Sequence, residues 1–216
     1  MTKTHDLTTG SLAGHFLRLA VPAAIGMVFS TLYNVVDVFF AGLISTDAQA
    51  GLAISFQAFF VFVTIGFGLG SAMTALVGNA IGAKNTADAS KIAMQGIGFA
   101  ILASALLIIM ALVLGPHLLA FISTEGAYRD AGTAYFTILL FSLPGFVMGY
   151  GLNGLLQARG DTVSMQYALI GAFFANIGLN PLMMFGIPGI WDGMGFDGIA
   201  AATVISQTGV MVFIGF

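Results

Sequence analysis

Cysteine is absent from these 216 residues, lysine and arginine together number six, and the only histidines are His5, His15 and His117. The missing cysteine excludes a disulfide framework and a thiolate metal site. The three histidines are too scattered to form a recognisable ligand cluster. No basic cluster exists to hold phosphates, so nucleic acid is not an expected partner. The patterns GxSxG, GxxxxGKS/T and HExxH are all missing, and no two carboxylates share an apolar run, so catalysis is not expected. Charge itself is scarce, at 7% of residues against a globular norm of about 25%. Ordinary water-facing surface is therefore largely missing, and a bilayer must act as the solvent.

What fills the chain instead is apolar: 58% of it is hydrophobic. Between charged or turn-rich breaks lie six apolar runs, at 19–44, 52–81, 92–114, 135–156, 163–187 and 199–216. Most can cross a hydrocarbon core, which takes roughly 20 residues of helix. The runs show no period-2 alternation, which disfavours a membrane barrel. The expected fold class is an all-α integral membrane protein, a bundle of six transmembrane helices forming one membrane domain over 1–216. The N-terminus has one basic residue and no short apolar core with a cleavage site, so a removable signal peptide is not expected and the first span directs insertion.

Lys3, Arg18, Lys84, Lys91 and Arg159 fall in loops on one side and Arg129 alone on the other. By the positive-inside rule this multi-pass protein of the cell inner membrane has a cytoplasmic N-terminus. Leu12, His15, Phe16, Arg18 and Leu19 read either as an interfacial amphipathic stretch or as the first turns of span one. The loop 186–198, with Trp191, is an interfacial segment or a plain connector. The chain stops at Phe216 inside an apolar run, which suggests a truncated protein.

Asp37 is the one Asp, Glu, Lys, Arg or His well inside any span. A carboxylate there costs at least about 2.5–3.5 kcal/mol, so it must face protein or water and either take a proton or hold a cation; the plainer alternative is a protonated acid bonded to a neighbouring helix. Ser30, Tyr33 and Asn34 lie seven, four and three residues before it, forming with it one polar stripe expected to face the bundle interior. In span five Asn176 and Asn180 share a face, and Pro181 cannot donate to the carbonyl of Ile177. Such a break beside two amides suits a cation, although two Asn serve equally as interhelical glue. Span six offers Thr203 and Gln207 with Ser206 beside them, and span four opens with Tyr135 and bends at Pro144. Gly66 and Gly70 stand at small-xxx-small spacing for close helix approach. Some of the eleven Met and twenty Phe are expected to line an adaptable apolar cavity.

The run 20–42, AVPAAIGMVFSTLYNVVDVFFAG, resembles the first helix of the multidrug and toxic compound extrusion family. GFGLGSAMTALVGNAIGAKN at 66–85, QARGDT at 157–162, NIGLNPLMMFG at 176–186 and GIAAATVISQ at 198–207 follow in that family's order. The resemblance implies two six-helix lobes related by a pseudo-two-fold axis, with this chain the N-terminal lobe and the C-terminal lobe absent. It also implies a cation site at Asp37, Asn176 and Thr203, with Tyr135 in the same pocket; Asn180 departs from the branch that has a second acid there. Sodium is accommodated at Asp37, Asn176 and Asn180. No cofactor is implied beyond a proton or sodium as coupling ion. The implied activity is secondary active export of amphipathic, often cationic drugs or toxic organic compounds. Asp37 would favour cationic cargo only when it is free of the coupling ion, which is antiport, and Pro144 and Pro181 would be moving points between lobes. Two rival readings are a lipid-linked oligosaccharide flippase of the same superfamily, which would want basic cavity residues that the spans lack, and a non-transporting membrane scaffold.

Overall fold

The computed structural model describes residues 11–216, and within its first helix the side chains at 12–19 and 23 lie outside the described residues. The reading of an interfacial stretch rests on those side chains, and Lys3 also falls outside. The helices are α1 Leu12–Gly42, α2 Thr46–Gly82, α3 Thr86–Ile122, α4 Ala127–Leu139, α5 Leu143–Ala158, α6 Ser164–Phe185 and α7 Asp197–Gly215. Among the described residues, six helical segments are long and apolar enough to cross a membrane, α4 and α5 counting as one.

The helices outrun their apolar cores. α2 and α3 each span 37 residues, or about 55 Å at 1.5 Å per residue. Hydropathy marks only the part dissolved in hydrocarbon, about 30 Å thick, whereas backbone hydrogen bonding continues until a cap ends it. Ser45 caps α2 by accepting from Ala48 N at 3.0 Å, and Asn85 caps α3 by accepting from Asp88 N at 3.1 Å. Asp161 serves α6 in the same way, accepting from the backbone N–H groups of Val163 and Ser164 at 3.0 Å each. α6 ends at Gly186, whose φ of +72° suits glycine. The loop after it folds back as a tight turn: Ile187 N donates to Trp191 O at 2.8 Å and Met194 N to Met183 O at 2.8 Å. Trp191 is thus held in a compact connector.

The two prolines singled out in the sequence behave differently. Before Pro144 the span breaks into a 3-10 turn, Leu140–Ser142, and the proline opens α5, where a missing N–H is tolerated. Pro181 by contrast sits inside an uninterrupted α6. The helix keeps its course there although Pro181 has no N–H to offer the Ile177 carbonyl, and the site geometry comes from side chains.

α2 lies at the centre of the bundle. Its glycines allow contact with α5: a Cβ on Gly70 would lie 2.7 Å from the Tyr150 carbonyl oxygen, and one on Gly66 3.0 Å from the Tyr150 ring. The hydroxyl of Thr74 is shared between the carbonyls of Gly70 at 2.9 Å and Gly154 at 3.2 Å. Ser55 likewise ties α2 to α4, facing the carbonyls of Gly51 at 2.6 Å and Gly132 at 2.7 Å. Buried carbonyls are strong acceptors, so these hydroxyls fasten helices where apolar side chains find no preference between neighbour and lipid. α1 stands to one side, packed on α6, where Phe29 meets Phe173 edge-on at 5.3 Å. α6 in turn packs along α7. The polar centre of the molecule forms where α1, α6 and α7 meet.

Candidate functional site

Asp37 is completely buried. Its Oδ1 accepts from Asn176 Nδ2 at 3.0 Å and from Asn180 Nδ2 at 2.8 Å, and its Oδ2 accepts from the Thr203 hydroxyl at 3.2 Å. The four-residue spacing of the two asparagines puts both amides on the same face of α6, and Asn180 Nδ2 also donates to Asn176 Oδ1 at 3.0 Å. One carboxylate thereby joins three helices across 139, 143 and 166 residues of sequence. Among the described residues the charge has no cationic partner, and Arg129 pairs instead with Glu125 at 3.2 Å, at the exposed start of α4. Nor do three His, Cys, Asp or Glu side chains gather anywhere among them.

The surroundings of Asp37 hold the buried side-chain atoms that lack hydrogen-bond partners: Tyr33 Oη, Tyr135 Oη, Asn180 Oδ1 and Ser206 Oγ. Tyr135 is fully buried and stacks on Phe196 at 5.1 Å, with its hydroxyl in the electrostatic reach of Asp37 and Tyr33. Natively folded proteins rarely leave buried polar atoms unpaired, and where they do, an ion, a water or a functional role is the usual account. Here all four are oxygens and all four belong to one cluster.

Two side chains of the expected stripe point elsewhere. Ser30 and Asn34 are exposed, and Asn34 Nδ2 donates to its own helix, to Ser30 O at 2.9 Å. On a helix of about 3.6 residues per turn Ser30 lies about 20° and Asn34 about 60° to one side of Asp37 and Tyr33 about 40° to the other, so the buried face of α1 is centred on the Tyr33 side and the other two fall on the flank. They line instead a cavity of about 200 Å³ beside the cluster, together with Tyr33, Thr203 and the buried Gln207. Its other wall is aromatic: Phe59 meets Phe146 at 5.5 Å and Phe67 lies on Tyr150 at 4.1 Å. Nothing in the local pattern distinguishes these rings among the twenty Phe. Ser206 was legible only as the residue three after Thr203.

The structure thus brings together Asp37, Asn176, Asn180, Thr203, Tyr33 and Tyr135, sets Gln207 and Asn34 in the adjoining cavity, and leaves Pro144 and Pro181 outside both. A family model described as MatE matches residues 22–182. The chain is 27% identical over 203 residues to the "Probable multidrug resistance protein NorM" of Thermotoga maritima, covering 93% of this chain and 44% of that protein. It is 25% identical over 215 residues to an FAD transporter of Shewanella oneidensis, covering 95% and 45% respectively. A solved transporter of the MOP superfamily from Pyrococcus furiosus matches with TM-score 0.87 at 24% identity, over 99% of this chain and 46% of that one, a likeness of fold. The chain spans about half the length of the curated relatives it matches. With three quarters of its length under one family model and this fold beneath it, the chain belongs to the MatE family.

Proposed function

We propose that the chain is one lobe of a secondary active multidrug exporter, which moves amphipathic, often cationic organic compounds outward against protons or sodium. The observation that carries this reading is a fully buried carboxylate with no cationic partner among the described residues, held by hydrogen-bonding groups from two neighbouring helices. Charged groups are kept within membrane spans chiefly where they serve ions, protons or ligands. The donor set suits a proton or a small hard cation, which oxygen ligands hold: Asp37 and Thr203 are supported by the unpartnered oxygens of Asn180, Tyr33 and Tyr135. When bound, the cation supplies a positive charge that cancels that of Asp37.

Tyr33 and Thr203 belong both to this cluster and to the wall of the aromatic cavity, which supports a competition between cargo and coupling ion for one negative charge. Aromatic faces attract organic cations, and a charged Asp37 adds to that attraction, whereas a neutralised one does not. Each ligand weakens the other, and linkage makes the effect reciprocal. The lining of this cavity contains no Lys, Arg or His among the described residues, so a pyrophosphate-bearing cargo, whether a dinucleotide or a lipid-linked sugar, finds no counter-charge in it. A second lobe would close the route, and the loops bearing Lys84, Lys91 and Arg159 would face the cytoplasm of an inner membrane.

The test is efflux of ethidium, a planar fluorescent cation, from vesicles carrying the full-length transporter under an imposed pH or sodium gradient. Efflux that follows either gradient supports the reading. Equal dye movement with and without a gradient would show that the protein is not an antiporter.

A further inference from the structure

Gln207 is 8% exposed, and its side-chain amide makes no hydrogen bond among the described residues. The unpartnered oxygens of Tyr33, Tyr135, Asn180 and Ser206 are sealed inside the protein, whereas the Gln207 amide is not among those sealed atoms. Gln207 borders the aromatic cavity of about 200 Å³ and a smaller space of about 40 Å³ between α1, α5, α6 and α7, and so stands where the two adjoin. The root of its side chain is held by α5: a Cβ on Gly145 would lie 3.0 Å from the Gln207 carbonyl carbon and oxygen and 3.2 Å from its Cβ. The amide end is left to the cavity.

The other polar groups of the lining are committed or placed differently. Thr203 donates its hydroxyl to Asp37, and the Tyr33 hydroxyl is sealed. Ser30 and Asn34 are exposed, and the Asn34 amide nitrogen is spent on its own helix. Tyr150 is half-buried, its ring lying on Phe67. Gln207 is therefore the buried residue of the lining whose whole polar group is uncommitted. It follows Thr203 by four residues, on the same face of α7 and about 6 Å along the axis. The cavity thus has an acidic end, where Thr203 holds Asp37, and a neutral amide end one turn away. An amide facing aromatic walls without a partner bears a desolvation penalty that a bound cargo can relieve. In a flat aromatic cation the positive charge spreads onto ring-attached amino groups, which makes their N–H bonds strong donors, and the Gln207 side-chain carbonyl is an acceptor for one.

We propose that Gln207 is a specificity-determining residue of the aromatic cavity, selecting flat aromatic cations that carry an exocyclic amino N–H over equally charged cations that carry none. The inference rests on the reading of this cavity as the cargo site. A site built to hydrogen-bond a cargo group rejects the analogue that lacks it, because the buried partner is then left unpaired. The aromatic walls hold either kind of ring, so the amide decides between them.

The experiment is equilibrium binding of two fluorescent dyes, proflavine and acridine orange, to the purified full-length transporter at neutral pH, read by fluorescence polarisation. Both are singly charged tricyclic cations, and acridine orange has methyl groups in place of every exocyclic N–H. Gln207→Leu removes the amide, so the Kd of proflavine should rise about tenfold, the worth of one hydrogen bond to a charged donor. The Kd of acridine orange should stay within about twofold or fall. Gln207→Met, with a side chain of nearly the original length, should give the same split if the leucine variant does not fold. Phe67→Ala, which removes a ring of the cavity wall, should weaken both dyes. A proflavine Kd that rises no more than that of acridine orange in the Gln207 variants, while Phe67→Ala weakens both, overturns the role of Gln207 and leaves the cavity as the cargo site. Binding of both dyes that is indifferent to Phe67→Ala and to the Gln207 variants alike overturns the reading of the cavity, and the role of Gln207 with it.

Discussion

Replacing Asp37 by Asn separates the charge of the site from its packing, and the hydrogen-bond geometry sets what each should be worth. The amide keeps one oxygen where Oδ1 stands, so the donors of Asn176 at 3.0 Å and Asn180 at 2.8 Å retain their acceptor. Its nitrogen takes the place of Oδ2, and the Thr203 hydroxyl, 3.2 Å away, rotates from donor to acceptor. Three bonds survive but lose charge assistance, about 1 kcal/mol each and about 3 kcal/mol together. Against this, removing an acid from the interior of a span relieves about 2.5–3.5 kcal/mol. The two nearly cancel, so thermal unfolding followed by the single tryptophan, Trp191, should move by no more than a few degrees. Ion-coupled ethidium efflux from vesicles of the full-length protein should disappear, because the differential affinity that drives the cycle has gone. Export at an unchanged rate with unchanged pH and sodium dependence would falsify the coupling role. A collapse of stability with the loss of efflux would show Asp37 to be structural.

Three further outcomes follow from the same geometry. Asn180→Asp puts a second carboxylate 2.8 Å from Asp37 Oδ1; two like charges so close require a proton or cation between them, so efflux should persist with a steeper dependence on the coupling ion, and an unaltered dependence counts against the cluster as the ion site. Single cysteines, introduced without native background, should react with an impermeant thiol reagent from outside at the exposed Asp47, Glu125 and Asp192, and only after permeabilisation at Thr86 and Arg159; the reverse pattern inverts the orientation. Gly70→Leu drives a side chain toward the Tyr150 carbonyl, 2.7 Å from a Cβ, and should lower stability by about 1–3 kcal/mol in a denaturation midpoint; no change would mean that α2 and α5 do not meet there in the membrane.

The membrane class, the six crossings and the isolation of Asp37 were all determined by the sequence alone, because hydropathy adds up along contiguous residues and needs no partner. The pairing of Asn176 with Asn180 was equally legible, since helical periodicity fixes which residues of one helix share a face. Periodicity could not say which face looks inward. Both sides of these helices are apolar, one against lipid and one against neighbours, so the amphipathic signal that orients a helix in a water-soluble protein is nearly erased. Hence Asn34 and Ser30, read as part of an inward stripe, lie on its flank, while Ser206, named only as a neighbour of Thr203, is buried near Tyr33. Pro144 and Pro181 look alike in the sequence, but only Pro144 follows a break in its span, a 3-10 turn after which it opens a new helix where no N–H is needed, whereas α6 runs on through Pro181. The convergence of α1, α6 and α7 on one carboxylate, across 139 to 166 residues, belongs to the tertiary structure: it depends on how three helices far apart in the sequence pack together, which no local pattern encodes.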